Sequence, residues 1–293
     1  MKFTISKLII CAIALMAFAC LFTACFARPG DVAVENPQQG NSPPVTANTT
    51  VVTDIKDFSL PNANAQAGQS GADNVSLLLR AEDYDKAIEI GRAALAEAPS
   101  DDTLKQKLAD AYIARAWFYK SKRLTTYTLA DLFKAVEAAP NYYRAHYEIG
   151  RFHNNQWQFS IGLLDLNKAL SLKPDFAPAY TERAYSYYKN QKYEQALADA
   201  NKSIELAPSD PRAYCTRSLI YVATGKPELA LEDANKAVQI APSDAPSYYN
   251  RGLVYAATLK PDLAIADFKA ALGLSDDDLL TARASAELQK LQK

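Results

Sequence analysis

Residues 177–210 read APAYTERAYSYYKNQKYEQALADANKSIELAPSD. The next 34 residues, 211–244, read PRAYCTRSLIYVATGKPELALEDANKAVQIAPSD, and residues 245–278 read APSYYNRGLVYAATLKPDLAIADFKAALGLSDDD. Aligned, the three copies keep an aromatic at Tyr180, Tyr214 and Tyr248, a small residue at Ala184, Ser218 and Gly252, and a second aromatic at Tyr187, Tyr221 and Tyr255. A polar turn follows at residues 189–192. Ala196, Ala200 and Ser203 then recur as Ala230, Ala234 and Ala237, and as Ala264, Phe268 and Ala271. Spacings of three and four residues mark one face of a helix, so each copy holds two helices joined by a turn. Pro140, Pro174, Pro208 and Pro242 stand 34 residues apart, and Asp276 takes the next such place. A fixed 34-residue period predicts an array of helix–turn–helix units.

The small residues let the two helices of a unit approach closely, and the aromatics fill the wider gaps between units. Residues 208–211, Pro-Ser-Asp-Pro, supply a helix stop, an N-cap carboxylate and a proline for the first helical turn. Gly225, Pro227 and Pro261 punctuate the turns inside the pairs. One step upstream the frame reads His146, Gly150, His153, Gly162, Leu166 and Ala169.

These positions resemble the tetratricopeptide repeat family over four consecutive units, 143–176, 177–210, 211–244 and 245–278. The resemblance implies an all-α, right-handed solenoid of antiparallel helix pairs. Upstream, residues 72–101 read as a degenerate unit with Tyr84, Ala87, Ala94 and Pro99 in frame. Pro99 and Pro140 are 41 residues apart, which implies two extra helical turns or a longer loop, placed around 114–128. The array therefore spans 71–278 in about six repeats, and residues 279–293 form an amphipathic helix capping the last of them.

Charges alternate along the array as Asp165, Arg183, Asp199, Arg217, Asp233, Arg251 and Asp267. Each arginine is expected to bridge the aspartates of its own and the preceding repeat, as a clamp on stacking register. An anion site built from the arginines is the alternative.

Residues 1–24 are different in kind. Lys2 and Lys7 precede an uncharged apolar run over 8–27, the pattern of an export signal. Residues 21–25, Leu-Phe-Thr-Ala-Cys, resemble a bacterial lipobox and point to lipid attachment at Cys25, although Phe22 departs from the usual leucine. Cleavage after Ala27 and an uncleaved anchor remain open, and all three place the repeats outside the cytoplasm. Residues 25–70, rich in Pro, Asn, Gln, Thr, Ser and Gly, form a disordered linker. Cys11 and Cys20 lie in the signal, which leaves Cys215 alone and no internal disulfide.

The net charge of −1 falls to −3 without Lys2 and Lys7, and no basic stripe exists, so nucleic acid is excluded as a partner. No phosphate loop, dinucleotide fingerprint, nucleophile elbow or two-histidine zinc helix occurs, and neither enzyme activity nor any cofactor is expected. His146 and His153 occupy core aromatic positions seven residues apart, too far for paired metal ligation, so no metal site is predicted. Residues 276–278, three aspartates, open the capping helix.

The family resemblance places a peptide-binding groove on the first helix of each unit. Carried onto this sequence, it comprises Arg144, Tyr147, Glu148, Arg151, Asn154 and Asn155; then Thr181, Glu182, Tyr185, Tyr188 and Lys189; then Arg212, Cys215, Thr216 and Leu219; and finally Tyr249, Asn250 and Leu253. Tyrosine mixed with charge and amide suits an extended peptide. Members that clamp the acidic tail of cytosolic chaperones use Lys and Asn in the first helix, Asn in the second and Lys with Arg in the third; the corresponding positions here hold Tyr147 and Arg151, then Glu182, then Arg212 and Thr216, and Glu182 repels a carboxylate. The sequence thus points to a non-catalytic adaptor, tethered to the extracytoplasmic side of the cell envelope, that binds protein or peptide partners. A binder of peptidoglycan or another glycan is the alternative.

Overall fold

The computed structural model describes residues 70–292. The signal segment 1–24, the lipidation candidate Cys25 and all but Ser70 of the 25–70 linker lie outside the described residues. Within them the chain forms thirteen helices and no strand.

Six antiparallel pairs follow one another: α1 (Gly71–Arg80) with α2 (Tyr84–Glu97), α3 (Asp102–Ser121) with α4 (Thr125–Ala138), α5 (Tyr143–Asn155) with α6 (Phe159–Leu172), α7 (Ala177–Lys189) with α8 (Tyr193–Leu206), α9 (Pro211–Ala223) with α10 (Pro227–Ile240), and α11 (Ala245–Ala257) with α12 (Pro261–Leu274). A last helix, α13 (Asp278–Leu291), packs on α12. The fold is the all-α solenoid that the 34-residue period implies.

Helix starts are set by side chains. Asp101, Asp210, Asp244 and Asp277 each accept a bond from a backbone N–H of the first turn, and Pro211, Pro227 and Pro261 begin helices where a missing N–H costs nothing. The turn inside each pair passes through left-handed backbone at Glu82, Arg123, Trp157, Gln191, Gly225 and Leu259, with φ between 56° and 70°. The last five of these are 34 residues apart, and only one is glycine.

Close approach within a pair rests on small residues. A Cβ on Gly150 would lie 2.6 Å from Leu166 Cγ, and one on Gly252 would lie 2.7 Å from the Phe268 ring. The buried core is a file of alanines, Ala184, Ala196, Ala200, Ala230, Ala234 and Ala264 among them, with Leu132, Leu166, Ile220 and Phe268 between.

The 41-residue interval is accommodated differently from expectation. Arg115, Ala116, Tyr119, Thr128 and Pro140 all stand in the 34-residue frame, so no insertion lies at 114–128. The extra residues extend α3 at its start, giving 20 residues where α5, α7, α9 and α11 have 13. The added turns bring Leu104 and Leu108 against Gly71 and Gly91 of the first pair, covering a pair whose α1 is only 10 residues long.

Candidate functional site

The ladder of charges faces away from the first-helix groove, and its pairing is specific. Arg183 Nε and Nη2 donate to both carboxylate oxygens of Asp199 in its own repeat, at 2.6 and 2.9 Å. Arg217 holds Asp233 at 2.7 and 2.7 Å, and Arg251 holds Asp267 at 2.7 and 2.8 Å. The remaining Nη1 of each reaches back one repeat, to the amide oxygen of Asn167, Asn201 or Asn235 at 2.8, 2.8 and 3.3 Å. The expected bond to the preceding repeat's aspartate is therefore absent: a neutral asparagine makes that link, because one buried carboxylate already saturates the guanidinium fork. Each guanidinium also lies between two tyrosines, Arg217 at 5.8 Å from Tyr214 and 5.7 Å from Tyr221. Among the described residues Asp165 has no arginine partner; His146 Nδ1 meets it at 3.1 Å while His146 Nε2 faces the Pro140 carbonyl at 2.9 Å. Arg115 and Asp131 form an equivalent pair upstream that the sequence reading passed over.

The opposite face, lined by the first helices, carries the predicted groove residues, and the structure divides them into two groups. Arg144, Tyr147, Glu148 and Arg151 on α5 form one. Arg144 pairs with Asp110 at 3.1 Å. Tyr147 is buried against the edge of Phe176, and burial pushes its hydroxyl up to about 12. Glu148, also buried, accepts from Arg151 Nη2 at 2.9 Å and from Trp117 Nε1 at 3.0 Å. The Arg151 guanidinium stacks over Trp117 at 4.0 Å. Trp117 is thus part of the groove wall.

The second group lines one cavity of about 930 Å³: Asn155, Tyr185, Tyr188, Lys189, Arg212, Tyr249 and Asn250, with Cys215, Thr216 and Leu219 beneath. A smaller recess of about 250 Å³ opens beside it, lined by Glu182 with Asn154, Thr181 and Tyr185. Two predicted polar residues are committed to packing. Asn250 donates to the Cys215 carbonyl and accepts from Ser218 Oγ at 2.6 Å. Asn154 donates to Glu182 Oε2 at 3.0 Å and accepts from Ser186 Oγ at 2.7 Å. Both tie adjacent repeats together. Arg212 is folded onto its own N-cap Asp210 through Nε and Nη2. Burial pushes the Cys215 thiol up to about 12, which favours the protonated thiol at neutral pH.

The sequence reading missed half of the cavity wall. Trp157 and Phe159, at the α5–α6 turn, line the recess, and α13 contributes Leu280, Arg283 and Glu287. The last helix thus runs along the groove as well as over the last repeat. Its start is joined to the α3–α4 turn by an Arg123–Asp278 ion pair at 2.6 Å, and Arg283 lies 5.2 Å over the Trp157 ring. An aromatic file, Trp157, Phe159, Tyr185, Tyr188 and Tyr193, runs along this wall with successive centroids 5.8–6.4 Å apart.

Residues 181–245 and 245–278 match two tetratricopeptide repeat models. No curated protein matches the chain. Among solved structures, a tetratricopeptide repeat protein from Parabacteroides merdae is 19% identical, with 76% of this chain and 83% of that one superposed at a TM-score of 0.53. The hetero-tetramer of Cut9 and Hcn1 from the APC/C superposes at 0.57 with 13% identity, covering 76% of this chain and 42% of that one. At these identities the likeness is one of fold.

Proposed function

We propose, from the premise that this chain belongs to the tetratricopeptide-repeat family, that it is a non-catalytic adaptor whose groove holds a segment of a partner protein. The observation that carries this reading is the cavity of about 930 Å³ lined by side chains of α7, α9, α11 and α13. Solenoids of this kind present extended surfaces built from successive repeats. Half-buried tyrosines with amides and a few charges give contact area at low entropic cost, which suits a peptide better than a small molecule. Anchorage belongs to the same reading: the apolar run over 8–27 exports the chain, Cys25 carries lipid, and the repeats work outside the cytoplasm at the cell envelope. The acidic-tail clamp is disfavoured by Glu182, a carboxylate in the recess where that mode needs positive or amide groups.

Copurification from native membranes tests the groove. A partner retained by the wild-type chain and lost by the Tyr185→Ala, Tyr249→Ala double variant supports it, and equal retention by both sinks it. Labelling with an alkyne fatty acid tests the anchor: label lost in Cys25→Ala is the expected result, and label retained there overturns lipidation at that cysteine. The aromatic file favours a second reading, a glycan stacked on those rings; binding to isolated sacculi, lost in Trp157→Ala, would favour it over a protein partner.

A further inference from the structure

The groove wall contains one feature that neither packing nor the adaptor reading uses. Trp157, Phe159 and Tyr185 meet edge to face, with centroids 6.0 and 5.8 Å apart, around the recess of about 250 Å³. Glu182 lies in that recess. Its carboxylate accepts one bond, from Asn154 Nδ2, and has no cationic partner within 4 Å among the described residues. Of the nearby bases, Arg151 pairs with Glu148 at 2.9 Å, Arg212 pairs with Asp210 at 2.8 Å, and Lys120 lies over the Trp117 ring at 4.3 Å. Burial raises the Glu182 carboxyl above the ordinary carboxylate range, against the opposing pull of the Asn154 bond and of Arg151, Arg212 and Lys120.

The walls already hold cations of the chain itself. Arg283 of α13 lines the recess and lies 5.2 Å over Trp157. Lys189 Nζ is 5.3–5.4 Å from the rings of Trp157, Tyr185 and Tyr188. Aromatic faces attract a guanidinium or ammonium group, more so when water is excluded. Around the adjoining cavity, Asp244, Asp276, Asp277 and Glu287 outnumber Lys189, Arg212 and Arg283. Glu287 is paired with Lys290 at 2.7 Å, so charge at this mouth is near balance, and preference for a basic side chain rests on Glu182 and the aromatic walls.

We propose that the recess walled by Trp157, Phe159 and Tyr185 above Glu182 seats a lysine or arginine side chain of a partner peptide, and that Arg283 stands in for that side chain in the unbound protein. The inference rests on the groove reading and adds the chemistry of the occupant. A bound basic side chain stacks on the rings and pairs with Glu182, while Arg283 swings out from Trp157 as the peptide enters. Recognition is then a competition between the last helix of the chain and its partner.

Selection of a display library of random nine-residue peptides on the full chain tests this. The expected result is enrichment of peptides containing lysine or arginine, whose affinity falls about tenfold in Glu182→Gln through loss of the ion pair. The same peptides should weaken about threefold to tenfold in Trp157→Ala and bind more tightly to Arg283→Ala. Glu182→Gln keeps the shape of the side chain and the bond from Asn154, so the array stays folded. Enrichment of acidic or uncharged peptides at the groove overturns the inference and leaves the groove reading standing. Basic peptides indifferent to Glu182→Gln and Trp157→Ala overturn it as well. Recovery of no binding peptide overturns the inference together with the groove reading.

Discussion

At Arg217 one guanidinium saturates a buried carboxylate, links two repeats through Asn201 and lies between two tyrosines. The Asp233 side chain is 6% exposed, so removing Arg217 strands a charge in the interior. Arg217→Ala should lose about 3 kcal/mol in urea unfolding, and Asn201→Ala, which cuts only the link between repeats, about 1 kcal/mol. No loss in Arg217→Ala would remove the clamp from the account. His146 makes a pH-dependent counterpart. Its Nδ1 faces Asp165 and its Nε2 faces the Pro140 carbonyl, so the protonated ring donates to both, and the hydrogen bond to Asp165 raises its pKa above 6.5. The contribution is present in full below about pH 6.5 and is lost as pH rises through the raised folded value. Wild type should exceed His146→Gln in stability by more at pH 5.5 than at pH 8.5; a constant difference contradicts this. The aspartates and arginines were legible because charged residues at a 34-residue period stand out in the sequence. The asparagine partners recur at the same period, but a neutral amide gives no reason to be chosen until the guanidinium's third nitrogen has a direction.

Each hairpin turn needs one residue in left-handed backbone, and only Gly225 meets that need without a Cβ. Leu259 occupies the same place with φ 56° and is 88% exposed. It pays a backbone penalty that packing does not repay. Leu259→Gly should therefore raise stability by about 0.5–1 kcal/mol, the αL penalty less the entropy of glycine. A destabilised variant would show that the leucine makes contacts the structure does not contain. Gly252 is the converse case, since a Cβ there meets the fully buried Phe268 ring at 2.7 Å. Gly252→Ala should cost about 1–3 kcal/mol by overpacking, and an unchanged urea midpoint would mean that the ring can move aside. Helix pairs were legible here from periodicity and from the Asp and Pro start signals. The length of α3 was not. Asp101 after Pro99 and Ser100 marks its start, but nothing in the sequence decides between a longer helix and a longer loop; the packing of Leu104 and Leu108 on the first pair does.

Across the described array, the placement of α13 decides what the groove can accept. The sequence identifies an amphipathic last helix, but its path along the first helices depends on the stacking of six pairs and is not written in any one segment. Ala284 is its one buried residue, and Asp278 and Arg123 pair with side chains 85% and 80% exposed. An exposed pair of this kind contributes about 0–1 kcal/mol, so Arg123→Ala should shift the unfolding midpoint little, and a large shift would mean that the ion pair itself fastens the helix. The central claim is that the space between the first helices and α13 is where a partner lies. Photocrosslinking in native membranes tests it most directly, with the reactive residue placed at Tyr185 inside the cavity and, separately, at exposed Gln239 on the opposite face. The account predicts one dominant protein adduct from Tyr185 and none of that adduct from Gln239; the same adduct from both positions, or no protein adduct from Tyr185, would contradict it.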